Sequence, residues 1–175
     1  MSVTMKLERA ATAVGLAALA IWVGGMVALG ACAAPIVFGK VPPPLAGDTM
    51  GTIFRRFDVV AMTCAVVVLA VEAVRALLLS GRPSLLDRIR GLGAIAAAAC
   101  AIYIGVVASP GIMALHEAGA VRGQGEAGMR LDYLHDMAEL LGKAEVVLGL
   151  LVIVLHVLTL RAQDTAVSTR TVTEG

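Results

Sequence analysis

A group of potential metal ligands lies in the second half of the chain. His135 and Glu139 are four residues apart, so they share one face of a helix, and Glu117 stands in the preceding segment beside His116. Imidazole and carboxylate groups together suit zinc, iron or manganese. These residues predict a divalent-metal site formed by His135, Glu139 and Glu117. The alternative is a solvated acidic helix face, because the sequence lacks a signature such as HExxH.

The other ligand types are spread along the chain. The three cysteines lie in separate apolar segments, at Cys32, Cys64 and Cys100. Without a CxxC pair they are typical of small buried side chains, and the methionines, which form no MxxM cluster, are typical of packing. His156 is predicted on the opposite side of the membrane from His116 and His135, which disfavours a haem held by two histidines.

Long uncharged runs dominate the composition. The chain of 175 residues is 59% hydrophobic and 15% charged, whereas a soluble domain is nearer half apolar and a quarter charged. A membrane-spanning helix needs about 20 apolar residues. Four runs approach or exceed this length: 10–34, 59–79, 92–109 and 146–160, the last extended backwards by a helical segment, 134–145. We therefore predict an all-α, integral membrane four-helix bundle over residues 1–161 and a disordered polar tail over 162–175.

Lysine and arginine residues set the predicted orientation. With four spans, the side that carries both termini holds eight of them and the other side holds six, and the short segment 82–90 is the densest cluster. Positive residues favour the cytoplasmic side. Both termini are therefore predicted to be cytoplasmic, in the plasma membrane (the inner membrane of a bacterium). The net charge of +1 gives no sign of a nucleic-acid partner.

Two prolines and a glycine pair mark predicted helix ends and contacts. Pro35 and Pro110 follow the first and third apolar runs and are expected to end those spans on the same side of the membrane. Gly24, next to Gly25 and just after Trp22, lacks a Cβ atom and is expected to let a neighbouring helix approach closely. A notch that lines a substrate path is the alternative interpretation.

The second apolar run contains two ionisable residues, Glu72 and Arg75. Ionisable residues inside a membrane span are functional candidates. Their spacing of three residues favours a local pair on one helix, with Arg75 reaching the headgroups. The alternative is a buried Glu72 that relays a proton or cation.

The segment 45–57, ahead of that run, is predicted to be a short interfacial helix. Its apolar residues recur at helical spacing: Met50, Ile53, Phe54 and Phe57.

Several short motifs occur in a recognisable order. They are Trp22-Val23-Gly24-Gly25, Ala34-Pro35-Ile36-Val37-Phe38, the segment from Ala46-Gly47-Asp48 through Gly51 to Phe54 and Phe57, and Leu134-His135. In order and spacing this set resembles the transmembrane protein 205-like family, known in bacteria as a domain of unknown function, over about residues 12–160. The residues after His135, Asp136-Met137-Ala138, depart from the small polar residue expected there.

The resemblance implies a four-helix membrane domain without an established reaction. An animal member of that family is associated with resistance to platinum drugs, and the family is distantly similar to copper-resistance membrane proteins. Eleven positions are candidates for structural or functional importance: Trp22, Gly24, Gly25, Pro35, Phe38, Gly47, Gly51, Phe54, Glu72, Arg75 and Pro110.

We expect a non-enzymatic membrane protein. It is either a small transport or tolerance factor or a membrane subunit of a larger complex, and the alternative is a metal- or haem-dependent membrane redox protein. Expected partners are the lipid bilayer and further protein chains, in a homo- or hetero-oligomer formed through small-residue helix faces. No cofactor is expected apart from the divalent metal described above.

The orientation can be tested with reporter fusions. A topology reporter fused after Ser84 is expected to report the cytoplasm, and the same reporter fused after Gly123 the opposite side. Reporters that give the same side at both positions would contradict the four-span topology.

Overall fold

Over the residues that it describes, the structure consists of helices joined by short turns and contains no strand. The computed structural model describes the backbone of residues 3–43, 45–78 and 83–173, and side chains over 6–43, 45–78 and 83–159. The α-helices are α1 (Val3–Ala28), α2 (Ala34–Lys40), α3 (Leu45–Leu78), α4 (Leu85–Tyr103), α5 (Ser109–Glu117) and α6 (Gly125–Thr173). π-helical segments join α1 to α2 (Leu29–Ala33) and α4 to α5 (Ile104–Ala108).

These pieces form four long rods. They cover Lys6–Lys40, Leu45–Leu78, Leu85–Glu117 and Gly125–Thr159, and each is long and apolar enough to cross a membrane. The prediction of an all-α, four-helix integral membrane protein is confirmed, and the chain is a multi-pass membrane protein.

Consecutive rods run antiparallel. Gly15 of α1 packs on Val71 of α3, near the end of α3, whereas Gly25 packs on Phe57, nearer its start. The third and fourth rods are related in the same way, since Gly93 lies against Val152 and residue 111 against residue 134. Helix ends near residues 6, 78, 85 and 159 therefore share one side, here named the termini side. Those near 40, 45, 117 and 125 share the other, the loop side.

Neither proline ends its span, contrary to the sequence prediction. Pro35 lies in the first turn of α2 and Pro110 in the first turn of α5, and both helices continue to the loop side. A proline inside a helix lacks an N–H and clashes with an earlier carbonyl group. The π-helical segment before each proline changes the local hydrogen-bond register and so accommodates the ring within a continuous rod.

The core is built from small residues and one large aromatic residue. Its fully or nearly fully buried members include Ala18, Trp22, Ala65, Val68, Ala97 and Val152. Large aliphatic side chains such as Leu77, 85% exposed, cover the outside. An apolar exterior around an interior of small residues is the arrangement that a helix bundle adopts in lipid.

The close helix contact lies at Gly25, and the prediction for Gly24 was wrong. A Cβ atom at position 25 would lie 2.3 Å from Cε2 of Phe57, whereas one at position 24 would meet no described atom within 4 Å. The two glycines are adjacent, so they face different sides of α1, and only the second one faces α3.

Two other boundaries differ from the sequence prediction. The segment 45–57 is not a separate interfacial helix, because it forms the first turns of α3 without a break. The third rod begins at Leu85, because Ser84 and Asp87 form a reciprocal capping box there. Arg90, counted as part of a loop from the sequence, consequently lies within α4.

The polar tail lies at the edge of what the structure describes. The backbone of α6 continues to Thr173, and residues 174–175 lie outside the described residues, as do the side chains from residue 160 onward. The domain boundary at residue 161 and the disorder of 162–175 stay predictions.

Candidate functional site

A buried carboxylate, Glu145 of α6, occupies the centre of the bundle. Its side chain contacts Trp22 of α1, whose Nε1 donates a 2.9 Å hydrogen bond to Oε2. Both residues are almost fully buried, at 3% and 2% exposure. The second oxygen, Oε1, has no hydrogen-bond partner among the described residues. A carboxylate with an unpaired oxygen is costly in an apolar interior, so this group stands out as a binding position.

A second carboxylate, Asp58 of α3, lies on the loop side of Glu145. Its Oδ2 accepts a 2.6 Å hydrogen bond from Ser109, the residue that follows the second π-helical segment. Gly105 of that segment faces Met62 and Asp58, and a Cβ atom there would lie 2.9 Å from the end of the Met62 side chain and 3.5 Å from Cβ of Asp58. Asp58 is within electrostatic range of Glu145. Two ionised carboxylates in an apolar interior repel each other, so a proton or another cation beside them stabilises the arrangement.

A third polar group surrounds Arg90 near the termini side. Nε of Arg90 lies 2.9 and 3.1 Å from the two carboxylate oxygens of Glu72. Nη1 of Arg90 donates to Asp87 at 2.8 Å and to the hydroxyl group of Thr159 at 3.1 Å. His156 joins the group, because its Nε2 lies 3.1 Å from Oε1 of Glu72. The group therefore connects α3, α4 and α6.

Arg75 connects the same end of the bundle to α1. Its guanidinium donates to the hydroxyl group of Thr12 and lies 3.8 Å from Glu8. The predicted local pair between Glu72 and Arg75 was therefore wrong: each pairs with a different neighbouring helix. Glu72 and Arg75 project from α3 in different directions. Glu72 faces α4 and Arg75 faces α1, so each finds its partner on another helix.

One face of α6 carries this interior from the centre to the termini side. Glu145, Val152 and His156 follow at intervals of seven and four residues, and all three are buried. Val152 packs in the apolar core with Val68 and Ala97, and this layer separates the carboxylate from the histidine. The interior thus has polar groups at three levels: Asp58 toward the loop side, Glu145 at the centre, and the group around Arg90 near the termini side. The apolar layer lies between the second and the third.

The structure does not assemble the predicted metal ligands. The ring of His135 packs edge-to-face on His116, with centroids 5.9 Å apart, and not on a carboxylate pair. Glu139 instead pairs with Lys143 at 2.6 Å on the surface, and Glu117 is exposed. Within the parts of the chain that the structure describes, no three His, Cys, Asp or Glu side chains are placed to hold a metal ion. The metal site stays a prediction without structural support.

The remaining candidates lie mostly on the surface. Phe38 and Phe54 are exposed, and Gly47 and Gly51 face open space among the described residues. Residues outside the predicted candidate set are more informative: Thr12, Asp58, Arg90, Glu145 and His156, of which the sequence analysis weighed His156 only as a haem ligand. A signal for two of them was available, because positions 145, 149, 152, 156 and 159 recur at helical spacing and all lie on the buried face of α6.

Comparison with known proteins identifies a family whose function is not established. Residues 17–120 match the model of the family described as a domain of unknown function, DUF4149. The match covers more than half of the chain, which therefore belongs to this family. Neither the search of curated proteins nor the search of solved structures gave a match.

The contact between Trp22 and Glu145 predicts a coupled stability effect. Trp22→Phe removes the only hydrogen-bond donor to Glu145 among the described residues. It should lower the free energy of unfolding by about 1–3 kcal/mol, because a buried acceptor loses its partner. Adding Glu145→Leu should restore much of that loss, since both polar partners are then gone.

Thermal or denaturant unfolding of the detergent-purified variants measures this effect. Trp22→Phe combined with Glu139→Leu serves as the control, because Glu139 lies on the surface. Equal destabilisation by Trp22→Phe with and without Glu145 would show that the two side chains do not interact.

Proposed function

We propose that the protein is a non-enzymatic, small membrane transport factor that binds its transported cation at Glu145. The observation that carries this proposal is the unpaired Oε1 of a buried carboxylate near the middle of a membrane-spanning rod. A carboxylate that served only to hold helices together would be stabilised by partners at both oxygens. Glu145 has one partner, Trp22, and keeps an acceptor position for a ligand.

The surroundings of Glu145 support a cation over an anion. Asp58 adds a second negative charge toward the loop side, with Ser109 as a further oxygen ligand. Oxygen ligands suit protons and small hard cations. The described guanidinium groups of the interior, Arg75 and Arg90, lie near the termini side and are paired there with carboxylates.

The two ends of the bundle suggest how access is controlled. On the termini side, the ion pairs around Arg90 and the hydrogen bond of Arg75 hold the four rods together. On the loop side, Asp58 and Ser109 lie beside the π-helical segment Ile104–Ala108. Such segments are often found at functional sites. We propose that the loop side admits the cation and that separation of the termini-side pairs releases it.

The proposal includes a location and an orientation. We place the protein in the cell inner membrane of a bacterium, and the distribution of lysine and arginine residues supports cytoplasmic termini. A role in tolerance, as in the transmembrane protein 205-like family, and assembly through small-residue helix faces are compatible with the same fold. Transport is preferred over a purely structural subunit role because Oε1 of Glu145 is a buried acceptor without a protein partner among the described residues, which is the position that a transported cation would bind.

Cation flux into proteoliposomes tests the transport function. Purified full-length protein in vesicles, with a potential set by potassium and valinomycin, should admit protons or sodium ions faster than empty vesicles do. Glu145→Gln should reduce the flux at least tenfold, because an amide keeps an acceptor for Trp22 but cannot bind a cation by charge.

Glu139→Gln is the matched control, since it removes a surface carboxylate of the same helix. It should retain the flux of the original protein. Equal flux in Glu145→Gln and the original protein, or no flux above that of empty vesicles, would contradict the proposed function.

A further inference from the structure

We infer that the cation bound at Glu145 is a proton and that His156 carries it onward to the termini side. This inference rests on the proposed transport function and names its substrate. His156 would be the second proton-binding position of the path, held by the ion-pair group around Arg90.

The first observation is the state of the His156 side chain. The residue has 0% exposure, and neither Nδ1 nor Nε2 has a hydrogen-bond partner of acceptable geometry among the described residues, although Nε2 lies 3.1 Å from Oε1 of Glu72. A buried imidazole used only for packing normally has its nitrogens partnered. The unpartnered nitrogens therefore point to a further ligand, such as water or a proton, and Nδ1 is the one that does not face Glu72.

The second observation is the alignment of Glu145 with His156. Eleven residues separate them, which is three helical turns, so both side chains face the same interior of the bundle. The rise along the axis is roughly 16 Å, at about 1.5 Å per residue. Val152 lies between them in the apolar layer. A proton can cross such a distance only along water molecules, and these would enter when the layer around Val152 opens.

The third observation is the charge around His156. Glu72 of α3 and Asp87 of α4 supply two negative charges, and Arg90 of α4 supplies one positive charge. Arg75 of α3 and Glu8 of α1 stand beside them with one charge of each sign, and the uncharged partners are Thr12 and Thr159. Among the groups linked directly to His156 and its neighbour Glu72, the carboxylates of Glu72 and Asp87 exceed the one charge of Arg90 by one, which a protonated His156 neutralises.

This set of groups favours a proton over a metal cation. Histidine is the side chain whose ordinary pKa lies closest to neutral pH, so it can gain and lose a proton in the physiological range. A metal ion at the same position would face the guanidinium of Arg90, which already occupies the oxygens of Glu72. The proton needs no additional oxygen ligands.

The transfer can be written as two balanced steps. The carboxyl group of Glu145 releases a proton to a neighbouring water molecule, and the water chain delivers a proton to Nδ1 of His156, giving an imidazolium beside the Glu72 carboxylate. His156 then loses a proton to water on the termini side and returns to the neutral form. Each transfer breaks one O–H or N–H bond and forms another, and no electron is transferred.

Proton uptake by proteoliposomes that contain a pH-sensitive dye tests this inference. The full-length protein should acidify the vesicle interior in a buffer that contains no sodium. His156→Gln should reduce this flux at least tenfold and remove the change of rate near neutral pH, because an amide does not titrate. His116→Gln replaces an exposed histidine and should leave both the rate and its pH dependence unchanged.

The outcomes separate the inference from the proposed function. Flux that needs sodium, or that is unchanged in His156→Gln, would overturn the proton inference while transport through Glu145 stands. No flux of any cation would overturn both. If His156→Gln does not fold, nitrogen NMR of the unaltered protein decides: the Nδ1 signal of His156 should change from the unprotonated to the protonated form as the pH is lowered, and a nitrogen that never changes state would overturn the inference.

Discussion

Ionisable side chains inside a bilayer need partners within the protein, and this requirement organises the bundle. An unpaired charge in the hydrocarbon layer costs several kcal/mol, and lipid offers no hydrogen bonds in return. Glu72, Arg75 and Arg90 therefore face neighbouring rods, and their contacts set the rotation of α1, α3 and α4 about their axes. The apolar faces that remain are turned outward to lipid.

The same requirement makes Glu145 and His156 the informative residues of the interior. Arg90 is satisfied by several hydrogen bonds, whereas Glu145 has a single donor, Trp22, and His156 has no hydrogen-bond partner among the described residues. The two regions have different roles in our account: the centre binds the cation at Glu145, and the termini-side group stabilises contacts between rods and holds His156, the second proton-binding position. The π-helical segments belong to the loop side, where each lies two residues ahead of a proline, Pro35 or Pro110. Such irregular turns place the proline within a rod that still spans the membrane.

The sequence predicts the four rods well and their contacts poorly. Long runs of residues without charge are stable as helices inside the bilayer, so the positions and lengths of these runs predict the fold class and the number of spans. The ends at Pro35 and Pro110 were misplaced because the π-helical register that accommodates a proline depends on the surrounding turns. The start of α4 was missed because Ser84 and Asp87 stand among charged residues that were assigned to a loop. Only their reciprocal hydrogen bonds show that the helix begins there.

Partner choice across the bundle is harder to predict than helix position. Glu72 pairs with Arg90, eighteen residues away, although Arg75 stands nearer in sequence. Glu145 follows an acidic stretch that looks like a solvated helix face, and only the packing of Trp22 shows that it is buried. His135 was correctly placed on a helix, yet it packs on His116 because the hairpin between α5 and α6 brings their rings together.

The protonation of Glu145 is the central point of this account, and difference infrared spectroscopy measures it directly. Spectra of the protein in lipid, recorded as the pH is changed, should contain a carboxylic-acid C=O band from a protonated, buried side chain. The account expects this band to titrate and to be absent from Glu145→Gln, with the bands of surface carboxylates unchanged. A spectrum that is identical in the two proteins would show that Glu145 does not exchange a proton and would contradict the account.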